Sequence, residues 1–241
     1  MKLYVYCLAE KPAMPFAALA APVVGISGAN VEVIEVDGLS LLVSQFEGET
    51  ALVTRENVVA HDRAVRSVLN ETTPLPFRFG SVVTEQHLAS YIRTHRKNLE
   101  MKLAQVRGCL EMSVKIIWNT DETNSGLNRI GLGPGAAFLH QKQSEILGGE
   151  HRAEKAKEVS SWLSEQVGGL VKQEEVSLCP TEKLIVAAAH LVSRHEVTEY
   201  RKRVAESSKT RPELHFLVSG PWPPYTFANI ELEFKTRFGV S

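Results

Sequence analysis

The chain is poor in the residues that build cross-linked or redox sites. Its three cysteines, Cys7, Cys109 and Cys179, are odd in number and far apart. No pair has metal or redox spacing, so neither a disulfide framework nor a thiolate metal site is expected. Cys7 falls in an apolar alternation, as a small core residue would. A reducing, cytoplasmic setting fits this usage. Long apolar runs are also missing: the longest, near 184–190, is far too short to cross a bilayer. No lipid membrane is therefore expected as a partner. The opening Met1-Lys2-Leu3-Tyr4-Val5-Tyr6 lacks the apolar stretch of a secretion signal. Neither sign of charge is in excess, with 27 Lys and Arg against 28 Asp and Glu. That balance argues against nucleic acid, which calls for a basic patch. The short run Arg201-Lys202-Arg203 reads as a solvated helix face.

Reactive constellations are missing as well. No Gly-x-Ser-x-Gly elbow occurs, and Ser81 after Gly80 has no base beside it. The eight histidines are scattered, and no two stand one helical turn apart with an acid nearby. Carboxylate pairs such as Glu174-Glu175 lie in charged segments, with nothing to hold one neutral and the other ionised. Gly131-Leu132-Gly133-Pro134-Gly135-Ala136 resembles a dinucleotide loop. However, about a dozen loop residues separate it from the preceding strand, and Pro134 removes an amide donor. The expectation is a chain without catalytic residues, metal or cofactor.

What is present is an ordinary core-forming composition, 44% hydrophobic and 23% charged. The length suits one large domain or two small ones. Leu3, Val5 and Cys7 alternate with Tyr4 and Tyr6 in a first strand. A proline-containing loop or short helix follows between Lys11 and Gly28. Strands over 31–36 and 39–46 flank Asp37-Gly38, a pair that supplies the positive φ of a tight hairpin. Val58, Asp62, Val65 and Leu69 predict a helix over 54–70. Pro74-Leu75-Pro76-Phe77-Arg78-Phe79-Gly80 contains two prolines that cannot donate ladder hydrogen bonds, so it reads as an edge strand or one that begins at Phe77. Helical spacing predicts a long helix over 84–107, and alternation a strand over 112–118. After a glycine-bearing loop over 119–135, helices are expected over 136–147 and around Val159–Val167, interrupted at Gly148-Gly149 and stopped at Gly168-Gly169. Strands over 176–178 and 184–193, a short helix around Tyr200, and a strand over 214–219 complete the pattern. The order β-β-β-α-β-α-β, then α-β-β-α-β, predicts an α+β fold. Two domains are expected, 1–133 and 134–241, each a sheet with helices packed on it in a modified ferredoxin-like arrangement.

Two features invite a binding role. Arg78 stands between Phe77 and Phe79, facing away from both if the segment is a strand. It would pair with a partner's carboxylate or with an internal one. Gly220-Pro221-Trp222-Pro223-Pro224-Tyr225-Thr226-Phe227 is set by three prolines, so it should be neither helix nor central strand. Its stiff backbone lowers the entropic cost of holding Trp222, Tyr225 and Phe227 in place. The arm either packs those rings on its own domain or presents them to another subunit.

Three stretches together resemble the GvpF/GvpL family of gas vesicle proteins. These are the strand Leu3-Tyr4-Val5-Tyr6, the helix Asn57–Val65 followed by Leu75-Pro76-Phe77-Arg78-Phe79-Gly80, and Ser219–Phe227. The resemblance covers about 1–227. It implies a minor component or assembly factor of gas vesicles, located on the vesicle within the cytoplasm. It further implies contact with the main shell protein GvpA or accessory Gvp proteins, no cofactor, no small-molecule substrate and no reaction. The competing expectation is a small-molecule-binding protein or enzyme, since ferredoxin-like sheets host many functions. That would need an apolar pocket with convergent polar groups, around Arg78 or His61.

Overall fold

The structure is a computed structural model. It describes residues 2–10, 23–118, 134–179, 181, 183–228, 230 and 232, with only the helical course given for 134–149 and 151. The segment expected as a loop or short helix after Lys11 lies, over 11–22, outside the described residues. So does the glycine-bearing loop over 119–133, with the first half of the dinucleotide-like motif. The architecture is α+β. The chain divides into two units, Met1–Glu111 with Trp222–Ser241, and Met112–Pro221.

The first unit is built on a five-stranded sheet in the order β2-β3-β1-β4, with β5 also on β1. Strand β1 (Lys2–Ala9) runs antiparallel to β3 (Leu39–Phe46). Its other partners are β4 (Leu75–Pro76) and β5 (Val82–Thr84). It is therefore central, and every residue from Leu3 to Ala9 is buried. A register shift between Val5 and Cys7 leaves Tyr6 without a partner on β3. Such a bulge re-aims side chains. Here it lets Tyr6 and Cys7 join the same core as Tyr4. Strand β2 (Val31–Val36) pairs with β3 across the expected hairpin, Val36 opposite Leu39. Asp37 and Gly38 both have positive φ, 52° and 80°, as the turn type demands.

Helix α1 (Arg55–Leu69) begins where Thr54 accepts the Asn57 N–H at 3.2 Å. Such a cap is worth about 1 kcal/mol. His61, Ala64, Val65, Val68 and Leu69 are its buried stripe. Helix α2 (Glu85–Val106) is capped in the same way by Thr84, and Leu88, Ile92, Leu99, Leu103 and Val106 face the core.

Leu75–Pro76 forms only a two-residue strand, and Phe77–Gly80 makes a turn rather than the strand expected to begin at Phe77. The Phe77 N–H still donates to the Tyr6 carbonyl, at 2.9 Å. The chain then turns because the carbonyl of Arg78 accepts from both the N–H and the hydroxyl of Ser81. Gly80, at φ 90°, occupies a conformation that a side chain would strain.

The second unit has a four-stranded sheet in the order β7-β8-β6-β9. These are β6 (Cys109–Trp118), β7 (Val171–Leu178), β8 (Leu184–Ser193) and β9 (Leu214–Trp222). Its division from the first unit runs through β6 and the end of β9, whereas the sequence reading set a boundary in the loop at 133/134. Strand β6 closes the first half in chain order but belongs to the second sheet by its neighbours. Hydrogen-bonded neighbours are not written in local sequence. The alanine-rich stretch over 185–189, which would also suit a helix, lies in β8 between β7 and β6. Strand β7 starts at Val171, five residues before the expected Val176. Its charged residues Lys172, Glu174 and Glu175 hide the alternation, as charges on an edge strand do.

Helix α3 (Pro134–Val167) runs unbroken through Gly148-Gly149, where an interruption was expected, and takes in Pro134 and Gly135. Glycine costs a helix only about 1 kcal/mol per residue, and proline is at home in a first turn. Val159, Leu163 and Val167 of α3, with Tyr200 and Val204 of α4 (Val197–Ser208), pack on Met112, Val114 and Ile116 of β6 and on Ile185 and Val186 of β8.

Candidate functional site

The proline-rich arm continues β9 along the chain and from Trp222 onward belongs to the first unit. Pro221 and Trp222 close β9, an edge strand, where a missing N–H is tolerated. Gly220 has φ 114°, and the Gly220–Pro221 bond is cis. After Pro223 and Pro224 the chain makes a helical turn, α5 (Tyr225–Ala228), with the Ala228 N–H on the Pro224 carbonyl at 2.8 Å. This corrects the expectation of an arm with no helix. Prolines forbid a helix that runs through them but suit the residues that lead into one.

Within the first unit the arm is fastened at four of its residues. Arg66 of α1 lies with its guanidinium 4.3 Å from the centre of the Trp222 ring, a cation–π contact. Asp62, one helical turn earlier, receives the Arg66 Nε–H at 2.6 Å and holds that cation in place. The other oxygen of Asp62 accepts a long hydrogen bond, 3.5 Å, from the Tyr225 hydroxyl. Burial, and then the Asp62 charge, push the Tyr225 hydroxyl up from its ordinary value. Glu111 in β6 accepts both the N–H and the hydroxyl of Thr226, each at 2.8 Å. Desolvation raises the Glu111 carboxyl and outweighs these two bonds. Finally, Lys102 of α2 donates to the Ala228 carbonyl at 2.8 Å. Pro223, Pro224 and Ala228 are buried, Trp222 and Phe227 half-buried, and Tyr225 is exposed at its outer edge.

Beneath the arm lies an aromatic cluster. His61 of α1 is 4% exposed, its ring 6.3 Å from that of Tyr225 and 5.8 Å from that of Phe79. Its Nδ1 pairs with the Tyr4 hydroxyl at 2.9 Å, and that oxygen also accepts the Gly80 N–H at 3.0 Å. The arrangement that uses the hydroxyl fully has Tyr4 donating to Nδ1 and the proton of neutral His61 on Nε2, which has no partner among the described residues. Burial pulls the His61 imidazole down to about 4, against a smaller opposing effect of Asp62. The second unit carries a similar pair, with His190 Nδ1 and the Tyr200 hydroxyl 2.6 Å apart and both residues buried.

The structure thus brings Trp222, Tyr225 and Phe79 onto α1. Arg78 is exposed on the turn, and the contribution of that turn to the cluster is Phe79. Pattern reading missed the receptors of the arm: Asp62, Arg66, Lys102 and Glu111. The i, i+4 pair Asp62 and Arg66 was the one local sign of them, since a helix surface pair can also grip a third group. Replacing Trp222 with alanine removes the ring under Arg66. We expect that Trp222→Ala costs about 1–2 kcal/mol, read as faster amide exchange across Tyr225–Ala228. Unchanged exchange there would show that the ring does not fasten the arm.

A family model described as "Gas vesicle synthesis protein GvpL/GvpF" matches residues 2–229. The chain belongs to this family. It is 25% identical to "Gas vesicle protein L2" of Halobacterium salinarum, over 93% of this chain and 90% of that one. It is 26% identical to "Gas vesicle protein F" of Microcystis aeruginosa, over 86% and 91%. Its fold matches the crystal structure of the gas vesicle protein GvpF from Anabaena, with a TM-score of 0.77 at 21% identity, covering 95% of this chain and 99% of that one. The protein is accordingly a gas-vesicle-associated protein. No helix among the described residues is long and apolar enough to cross a membrane.

Proposed function

We propose that the protein is a structural or assembly component of the gas vesicle that binds the main shell protein GvpA and accessory Gvp proteins without catalysing a reaction. It would act at the vesicle, within the cytoplasm. The observation that carries this reading is the family match over nearly the whole chain. The fastened arm supports it: a ring set held by proline, Arg66 and Glu111 meets a partner at little cost in lost motion. Its outer surface, with the edges of Trp222, Tyr225 and Phe227, is the candidate contact, and Arg78 is a second candidate.

The test is capture of purified GvpA or nascent vesicles by the immobilised full chain. Binding by the wild type and at least tenfold weaker binding by Trp222→Ala supports both the function and the arm. Equal capture by both proteins removes the arm and keeps the function. No capture by the wild type overturns the reading.

A further inference from the structure

Among the described residues of the first unit, exposed aliphatic side chains gather just before and at the start of α1. Leu52 and Val53 are 72% and 81% exposed, and Val58 and Val59 just under half. Isolated exposed aliphatic residues are commonplace, but four within eight positions form a patch that water does not favour. The patch is held in place. Leu52 gives its carbonyl to the Asn57 side chain at 2.9 Å and to the Thr54 N–H at 3.0 Å. Asn57 and Val59 belong to the wall of an open groove of about 600 Å³ between α1 and the turn at Ile26–Gly28. Val24, also exposed, faces it from the other side.

The charges on this groove are uneven. Arg55 and Arg63 line it, opposed only by Glu56. Among the described residues, neither guanidinium has a hydrogen bond or ion pair, in contrast to Arg66 on the same helix. The two arginines stand eight residues apart on α1, roughly 12 Å of helical rise. Val24, Val59 and Ala60, set between two unpaired cations at that separation, complement an amphipathic helix with carboxylates two turns apart.

We propose that this groove docks such a helix: an aliphatic stripe on Val24, Val59 and Ala60, flanked by two acidic residues that meet Arg55 and Arg63. The occupant is a helix of a gas vesicle partner protein, so the inference rests on the reading given above. The arm and the groove are then two separate contacts on the first unit.

The test uses the full chain and an 18-residue fluorescein-labelled peptide with a leucine stripe and glutamates seven residues apart. A second peptide carries lysines in place of the glutamates. Fluorescence anisotropy should show the acidic peptide binding at least tenfold tighter than the basic one. Val59→Asp should weaken that binding at least tenfold, and the double variant Arg55→Glu/Arg63→Glu should reverse the preference between peptides. All these positions are exposed, and an unchanged melting temperature confirms folding. Equal affinity for the two peptides, or full binding by Val59→Asp, overturns the inference. Capture of GvpA separates the two ideas. If Val59→Asp retains the full capture shown by the wild type, GvpA is excluded as the occupant of the groove and the function stands. If the wild type captures none, the function reading fails on its own account.

Discussion

Acidification from pH 7 to pH 4 weakens the first unit through His61 by about 3 kcal/mol, taking a shift from the ordinary 6.5 to about 4 at 1.36 kcal/mol per unit. In the unfolded chain His61 takes up a proton as the pH falls through 6.5. In the folded protein it stays neutral until about 4, because its ring is buried among Tyr4, Tyr6, Phe79 and Tyr225. Between those values the unfolded state binds more protons, so stability rises with pH and is lost as pH falls. Glu111 works the other way. Its raised carboxyl takes up a proton in the folded state first, so it offsets part of the loss as pH falls towards the ordinary carboxylate range, and adds nothing more below it. His190 is lowered by burial in the second unit and adds a loss of the same sign there. Urea titrations at pH 7, 6 and 5 should show the decline, and His61→Gln should flatten it. An equally steep decline in His61→Gln would assign the acid sensitivity to other groups.

Replacing Tyr4 with phenylalanine should cost about 2–4 kcal/mol, although every ring atom stays in place. The single hydroxyl serves both His61 Nδ1 and the Gly80 N–H. Its loss strands two polar groups in a site where His61 Nε2 already lacks a partner among the described residues. Water cannot easily repair this, because Tyr4 is fully buried and His61 nearly so. The expected signature is a lower urea midpoint with an unchanged slope, together with faster exchange of the Gly80 amide. A loss below about 0.5 kcal/mol, the range of a neutral surface change, would mean that the two bonds contribute little. The unit is a good place for this test because the ring packing survives. Tyr4 and Tyr6 lie 4.8 Å apart at their centroids, and Phe46 and Phe79 close the cluster.

The competing expectation of a ligand pocket around Arg78 or His61 meets a different geometry. His61 lies under Tyr225 and against Phe79 in a packed cluster. Arg78 is exposed on a turn. The groove at the start of α1 is open, and Arg55, Arg63, Glu56 and Asn57 line it beside Val24, Val59 and Ala60, which suits a protein surface better than an enclosed small molecule.

The chain's own residues determined the elements that depend on neighbours in sequence. Asp37-Gly38 dictated the hairpin, Thr54 and Thr84 marked the helix starts, and the aliphatic spacing of α1 and α2 marked their buried faces. The three prolines before Tyr225 announced a preset arm. Only the tertiary structure decided where that arm lies, because its receptors Asp62, Arg66, Lys102 and Glu111 come from three separate elements, and nothing in a local pattern couples them to residues more than a hundred positions away. The same holds for β6, which follows the first unit in chain order but joins the second sheet. Backbone hydrogen bonds carry no residue-specific signal, so strand order is set by which faces find a core together, and that is a property of the folded chain.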